Sequence, residues 1–139
     1  MRKMRDLSVI AEELIDALLD RGFVIQRYDA YSTNSIYLKL DYGVSNSIRI
    51  GDHQGKKHLN YRYNIGPGIR QFYRKDEQYP RFYFPEDQTM KLVGLIEEER
   101  IQRIRKYGTK RYWEYMEKNK EEGKKQPGFW QSARLVERN

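Results

Sequence analysis

Ten cationic and four aromatic side chains are interspersed near the carboxyl end of the chain, between residues 100 and 125. The cations are Arg100, Arg103, Arg105, Lys106, Lys110, Arg111, Lys118, Lys120, Lys124 and Lys125, and the aromatic residues are Tyr107, Tyr112, Trp113 and Tyr115. Lysine and arginine neutralise phosphates and release their counterions, whereas aromatic rings stack on bases. The segment therefore predicts a phosphate-binding surface. No recognition-helix, zinc-finger or ribonucleoprotein motif accompanies it, so we expect it to contact backbone and shape rather than base sequence.

The distribution of charge along the chain favours the same segment. The net charge is +7. Residues 1–99 contain fifteen cations and fifteen carboxylates, whereas residues 100–139 contain twelve cations and five carboxylates. A basic end of this kind is typical of contact with nucleic acid or with an acidic protein surface. The alternative is a solvated helical end without a partner.

A second set of polar residues lies on strands of a predicted sheet. Alternation places Lys39, Asp41, Arg49, Asn60, Arg62 and Asn64 on one face. Cross-strand ion pairs between Asp41 and the neighbouring cations would explain this pattern as an ordinary solvated face. The other interpretation is that Arg49 and Arg62 contribute to the binding surface. The sequence leaves both open.

Catalytic chemistry has weaker support. Asp41, Asp52 and His53 follow strand ends and suggest a divalent-cation site for phosphodiester cleavage, but aspartate is also an ordinary turn residue. Gly66-Pro67-Gly68 lacks the Lys-Ser/Thr of a phosphate-binding loop. The chain has no cysteine and two histidines. We therefore expect a non-catalytic protein without metal or cofactor, with a metal-dependent nuclease as the less favoured alternative.

The elements that must position these residues follow from periodicity. Apolar residues at helical spacing predict a helix from Leu7 to about Arg21, with Asp6 as its N-cap and Gly22 at its end. From Phe23 the period changes to two over four segments joined by short, turn-rich links. These segments predict a four-stranded antiparallel meander. The side chains expected to face the helix are Ile36, Leu38, Leu40, Ile48, Ile50, Leu59, Tyr61, Tyr63 and Ile65.

The remainder of the chain predicts a connector, two helices and a tail. Residues 66–85 contain six aromatic residues and three of the four prolines, and we expect them to form an aromatic connector. Two basic helices are expected over residues 86–122, the first with Met90, Val93, Ile96, Ile101 and Ile104 in the core and the second with Tyr112, Trp113 and Met116 on one side. The tail, residues 123–139, contains Phe129 and Trp130, which pack in cis or in trans.

These elements together predict one α+β domain over residues 1–139. The N-terminal helix packs on the meander over residues 7–65, and two C-terminal helices carry the charge. No apolar run approaches the roughly 20 residues that cross a bilayer. We expect a cytoplasmic protein.

The stretch "NSIYLKLDYGVSNSIRIGDHQGKKHLNYRYNIG", with the later "YPRFYFP", resembles short uncharacterised proteins encoded by phages and mobile elements of low-GC Gram-positive bacteria. The resemblance covers the sheet and the connector, and no activity or catalytic residue is assigned to that group. It implies a phage or mobile-element accessory protein in the host cytoplasm. Such proteins often bind nucleic acid or obstruct a host defence complex.

The function predicted from the sequence is non-catalytic binding of nucleic acid through the basic C-terminal helices. The residues expected to form the interface are Arg100, Arg103, Arg105, Lys106, Lys110, Arg111, Lys118, Lys124 and Lys125, with Arg49 and Arg62 from the sheet. The alternative is an anti-defence inhibitor of anti-CRISPR type. It would place the same cations against a host protein or ribonucleoprotein.

Overall fold

The computed structural model of the protein describes residues 6–30, 34–51, 58–64, 81–125 and 133–137. Three α-helices, six strands and two short 3-10 helices, Asp41–Gly43 and Glu86–Gln88, lie in these ranges. The helices are α1 (Leu7–Leu19), α2 (Thr89–Tyr107) and α3 (Thr109–Gly123). The strands are β1 (Ile25–Asp29), β2 (Ile36–Leu40), β3 (Ser47–Ile50), β4 (Tyr61–Asn64), β5 (Arg81–Phe84) and β6 (Arg134–Leu135).

Helix α1 forms as its sequence predicts. The side chain of Asp6 accepts a hydrogen bond from the backbone N–H of Ser8 at 2.8 Å, which satisfies one of the unpaired donors of the first turn. Its buried stripe comprises Leu7, Ile10, Ala11, Leu14, Ile15 and Leu18. Just beyond the helix, Gly22 has a φ of 79°, the left-handed conformation that glycine adopts at low cost. The stripe packs α1 onto one face of the sheet.

The sheet is wholly antiparallel, with the strand order β5-β4-β3-β2-β1-β6. Strands β1 to β4 follow one another as the predicted meander. The expectation of four strands is nevertheless wrong, because β5 pairs with β4 and β6 pairs with β1. Strand β5 is a short segment between Pro80 and Pro85 at one edge of the sheet, where proline is tolerated. The predicted connector thus ends in a strand.

The core lies between α1, α2 and one face of the sheet. The predicted inward residues of β2, β3 and β4 are buried, and Tyr61 and Tyr63 are fully so. On α2 the buried residues are Leu92, Val93, Ile96 and Arg103, whereas Met90 and Ile101, which the periodicity placed in the core, are exposed. No helix within the described ranges is both long enough and apolar enough to cross a membrane.

Helix α3 is anchored by a second, smaller cluster. Tyr112 and Met116 are buried against Val44, which lies in the link between β2 and β3. Trp113, predicted on the same side, is instead exposed. This contact brings α3 to one end of the sheet. The predicted positions of Ile65, of residues 66–80 and of Phe129 and Trp130 lie outside the described residues.

Candidate functional site

The link between β2 and β3 turns Asp41 into the protein. Asp41 and Tyr42 have φ values of 49° and 55°, and Asn46 has 79°, all in the left-handed region that non-glycine residues rarely adopt. Asp41 is fully buried, and its Oδ1 accepts a hydrogen bond from the backbone N–H of Val24 at 2.9 Å. Asp41 therefore does not lie on the solvated face of the sheet, where alternation placed it.

Two of the cations predicted to form the interface, Arg100 and Arg103, instead make contacts within the protein that stabilise the link between β2 and β3. The Nε atom of Arg100 lies 2.9 Å from Oδ2 of Asp41 as an ion pair, without making a hydrogen bond of its own. Its Nη1 and Nη2 atoms donate to the carbonyl oxygens of Arg21 and Gly22 at 3.3 and 3.4 Å, and the guanidinium stacks 4.3 Å from the ring centroid of Phe23. These contacts make Arg100 part of the helix packing.

Arg103 has the same structural use. It is 5% exposed, and its Nη1 donates to the backbone carbonyl of Val44 at 2.7 Å. Asn119 of α3 donates to the carbonyl of Tyr42 at 3.0 Å from the other side. Helices α2 and α3 thus both contact the β2–β3 link. Arg100 and Arg103 are part of this packing and do not form an exposed binding surface.

The other predicted cations of the helices are exposed, and those within α3 are balanced in number by glutamates of the same helix. Arg105, Lys106, Lys110 and Arg111 surround the α2–α3 junction, whereas Lys118, Lys124 and Lys125 lie near the other end of α3. At 1.5 Å per residue, Arg111 and Lys118 are about 10 Å apart along α3, and Lys110 and Lys125 are about 22 Å apart. Between Thr109 and Gly123, four cations are matched by four glutamates. The helical surface is therefore of mixed sign instead of being a continuous basic patch.

A further group of predicted and newly recognised cations lies on the sheet. We call its face directed away from α1 the tyrosine–arginine face. Strand pairing aligns its side chains in two rows across the strands, separated by about 7 Å. The first row is Tyr28, Tyr37, Arg49, Arg62 and Tyr83 on β1 to β5, and the second is Gln26, Lys39, Ser47, Asn64 and Arg81.

Charge on this face is of one sign. Lys39, Arg49, Arg62 and Arg81 point to it, and within the described strands no aspartate or glutamate does. Burial lowers the pKa of Arg62, and repulsion from Arg49 and Arg81 lowers it further. Since arginine stays protonated in proteins, the lowered pKa indicates a cation held in an unfavourable environment. An anion at this position would relieve it.

Arg27, on the opposite face of β1, is an arginine of the same sheet whose charge is balanced by neighbouring carboxylates. It is 6% exposed, with Nε 2.7 Å from Asp29 and Nη1 3.0 Å from Glu12. Burial alone would lower the pKa of Arg27, but hydrogen bonds and charge from Asp29 and Glu12 outweigh it and raise the pKa. The two carboxylates that stabilise Arg27 have no counterpart beside Arg62 in the described strands.

The first row is partly preorganised. Tyr28 and Tyr37 lie with ring centroids 6.4 Å apart, and the guanidinium carbon of Arg49 lies 5.7 Å from the ring centroid of Tyr37. The Oγ atom of buried Ser35 accepts hydrogen bonds from Nε and Nη2 of Arg49 at 3.3 and 3.2 Å. By contrast, the Nε atom of Arg62 is buried without a hydrogen-bond partner. The row therefore combines oriented aromatic rings with an unsatisfied donor.

The described residues do not bring together the ligands of the metal site that the sequence suggests. Asp41 is enclosed by Arg100 and Tyr112, while Asp52 and His53 lie outside the described residues. Within the described ranges, no three His, Asp or Glu side chains are grouped in a way that could hold a metal ion.

Sequence reasoning missed several members of the tyrosine–arginine face, although signals for them exist. Tyr28 and Tyr37 alternate with core residues in strands that were predicted correctly, so the period of two already places them beside Arg49. The flanking prolines favour a connector for Arg81 and Tyr83, so the sequence does not indicate that they lie on a strand.

Comparison of the chain with protein-family models, with curated proteins and with solved structures found no match.

Proposed function

We propose that the protein is a non-catalytic binder of single-stranded nucleic acid and that the tyrosine–arginine face is its main contact surface. One observation carries the proposal. Arg49 and Arg62 lie directly opposite each other on β3 and β4, with Tyr37 and Tyr83 beside them and no carboxylate on that face of the described strands. Like charges placed opposite each other in a sheet are destabilising unless a counter-charge is bound.

The residue types on this face match the two parts of a nucleotide. Arginine forms paired hydrogen bonds to phosphate oxygens, and tyrosine rings stack on bases irrespective of sequence. The first row spans five strands, or about 19 Å from β1 to β5, which is long enough for several contacts along one strand. The face is part of a sheet instead of a projecting helix, and this favours bases that are already unstacked over a duplex groove.

The cations of α2 and α3 have a secondary role in this proposal. Arg105, Lys106, Lys110 and Arg111 are exposed at the α2–α3 junction, and the glutamates of α3 offset the charge of that helix, so we assign these cations long-range attraction and not the principal contacts. This reverses the emphasis that the sequence alone suggests, because the surplus charge counted there includes the buried Arg100 and Arg103. A phage or mobile-element origin, and a cytoplasmic location, remain part of the proposal through the resemblance described above.

The test compares two double variants of equal charge change in a fluorescence-anisotropy titration. The probes are a labelled single-stranded DNA, the same sequence as RNA and the corresponding duplex. Arg49→Gln with Arg62→Gln should reduce the slope of log affinity against log salt by about 1.4 for the single strands, because two phosphate contacts are lost at about 0.7 each. The matched control, Lys110→Gln with Arg111→Gln, should leave most of that slope intact.

Three results would overturn the proposal: no binding of any probe by the unaltered protein, tighter binding of the duplex than of the single strands, or equal losses in the two double variants. Circular dichroism verifies that both double variants are folded. The anti-defence alternative predicts the first of these results, because an inhibitor that docks on a host protein needs no affinity for oligonucleotides.

A further inference from the structure

A cavity of about 290 Å³ lies where the tyrosine–arginine face meets α3. Its lining comes from β1, β2, the β2–β3 link, α3 and the segment that contains β6. The lining residues are Gln26, Lys39, Tyr42, Asn119, Lys120, Gly123, Lys124, Ala133 and Leu135. The volume is at about the lower limit of pockets that enclose small ligands, which suits a single phosphate group with its sugar.

The cavity continues the second row of the face. Gln26 pairs with Lys39 on one side and with Leu135 on the other, so three neighbouring positions of adjacent strands form its floor. Beyond β1 the short strand β6 forms the edge of the sheet. A nucleic-acid strand that follows the second row from Arg81 towards β1 therefore reaches the cavity at β1, the last full-length β-strand of the sheet.

The lining of the cavity is cationic. Lys39, Lys120 and Lys124 contribute three ammonium groups, and none of the lining residues within the described ranges is acidic. Lys124 lies 3.2 Å from Glu121, but both side chains of this pair are largely exposed, so solvent screens it. The ammonium of Lys120 lies 5.9 Å from the ring centroid of Tyr42. Burial lowers the pKa of Lys39, so its charge is already partly removed from water.

These features favour binding of the end of a nucleic-acid strand over binding of an internal nucleotide. A terminal phosphate carries a charge of about −1.5 to −2 at neutral pH, whereas an internal phosphodiester carries one negative charge. Lysine binds phosphate as a mobile point charge, so three lysines can converge on a group that projects from the chain end.

We propose that this cavity binds a terminal phosphate of the nucleic-acid strand held on the tyrosine–arginine face; the inference rests on the proposed function. Lys39, Lys120 and Lys124 neutralise the phosphate, and the amide of Gln26 supplies a neutral donor. Asn119 positions the site, because its amide group is hydrogen-bonded to the carbonyl of Tyr42.

The experiment uses the full chain and three single-stranded oligonucleotides of identical sequence: one with a 5′-phosphate, one with a 3′-phosphate and one with hydroxyl groups at both ends. Each carries its fluorophore internally. We expect a phosphate at one of the two ends to tighten binding about tenfold, the effect of one hydrogen-bonded charged group. The end that does so gives the polarity of the bound strand.

Two double variants assign the effect to the cavity. Lys120→Gln with Lys124→Gln should remove the advantage of the phosphorylated end. Lys118→Gln with Lys125→Gln changes the charge of the same helix end by the same amount outside the cavity lining and should preserve the advantage.

Equal affinity for the three oligonucleotides overturns the inference, and so does loss of the advantage in both double variants. In either case retained binding of the unphosphorylated strand leaves the proposed function standing. Failure of all three oligonucleotides to bind overturns both.

Discussion

Tyr112 donates its hydroxyl hydrogen to Oδ2 of Asp41 at 2.5 Å, although 71 residues separate the two in the chain. The same carboxylate oxygen lies 2.9 Å from Nε of Arg100. Asp41 therefore joins α2 and α3 to the sheet through a single buried charge. Because a buried charge without its partners is costly, this contact is where the fold should be most sensitive to substitution.

Asp41→Asn should lower the free energy of unfolding by about 3–5 kcal/mol, the cost of leaving a largely buried cation without its counter-charge. Asparagine has the same shape and tolerates the left-handed conformation, so the change tests the charge and not the backbone. Urea denaturation monitored by circular dichroism measures the difference. Glu97→Gln is the control, because the pair of Glu97 with Arg21 at 3.6 Å is half exposed and should contribute less than about 1 kcal/mol. Equal effects of the two variants would contradict this assignment.

Tyr112→Phe should change how stability depends on alkaline pH. Burial raises the pKa of Tyr112, and the charge of Asp41 raises it further. The folded protein then keeps a proton that the unfolded chain loses above about pH 10, so this contribution is complete below that pH and falls as pH rises through the folded pKa. Urea midpoints measured from pH 8 upward should fall less steeply in Tyr112→Phe than in the unaltered protein. Parallel curves would show that the hydroxyl is not held as described.

Arg62→Met and Arg27→Met should have opposite effects on stability in the absence of ligand. Arg62 is half-buried beside other cations, so its replacement should leave the free energy of unfolding unchanged or raise it by a few tenths of a kcal/mol. Replacement of Arg27 leaves Asp29 and Glu12 without their cationic partner and beside an apolar side chain. It should lower the free energy of unfolding by about 1–3 kcal/mol. Thermal unfolding of the two variants in the same buffer checks the order. A larger loss for Arg62→Met would show that Arg62 is a structural residue.

Tyr37→Leu should weaken oligonucleotide binding by about 1–3 kcal/mol, the amount associated with one base stacked on an aromatic ring. Unlike removal of an arginine, it should leave the salt dependence of binding unchanged, because no phosphate contact is lost. Anisotropy titrations at several salt concentrations separate the two effects. Tyr115→Leu on α3 is the control and should bind as the unaltered protein does. A changed slope with unchanged affinity at low salt would contradict a stacking role for Tyr37.

The parts of the structure that the sequence predicts are those governed by local periodicity. The stripe from Leu7 to Leu18 defines α1, and alternation through Ile36, Leu38 and Leu40 defines which face of β2 is buried. The same alternation places Arg49 and Arg62 together on the other face. These assignments succeed because neighbouring residues alone determine them.

The direction of Asp41 could not be predicted in the same way. Alternation holds through Leu40, but the left-handed conformation of Asp41 and Tyr42 turns the carboxylate inward immediately afterwards. The roles of Arg100 and Arg103 depend on that turn. Ile96, Arg100 and Arg103 follow helical spacing, so the stripe itself indicates that two cations point inward. Their partners, however, are more than fifty residues away in sequence, and no local pattern identifies them.

The left-handed turn between β2 and β3 has a consequence for the order in which the chain folds. Three of the side-chain contacts that secure it come from Arg103, Tyr112 and Asn119, across sequence separations of 59, 71 and 77 residues. During synthesis the central hairpin therefore emerges long before the groups that fix its geometry, and closing loops of that size slows the final step. The nascent sheet should reach its mature arrangement after α3 has left the ribosome.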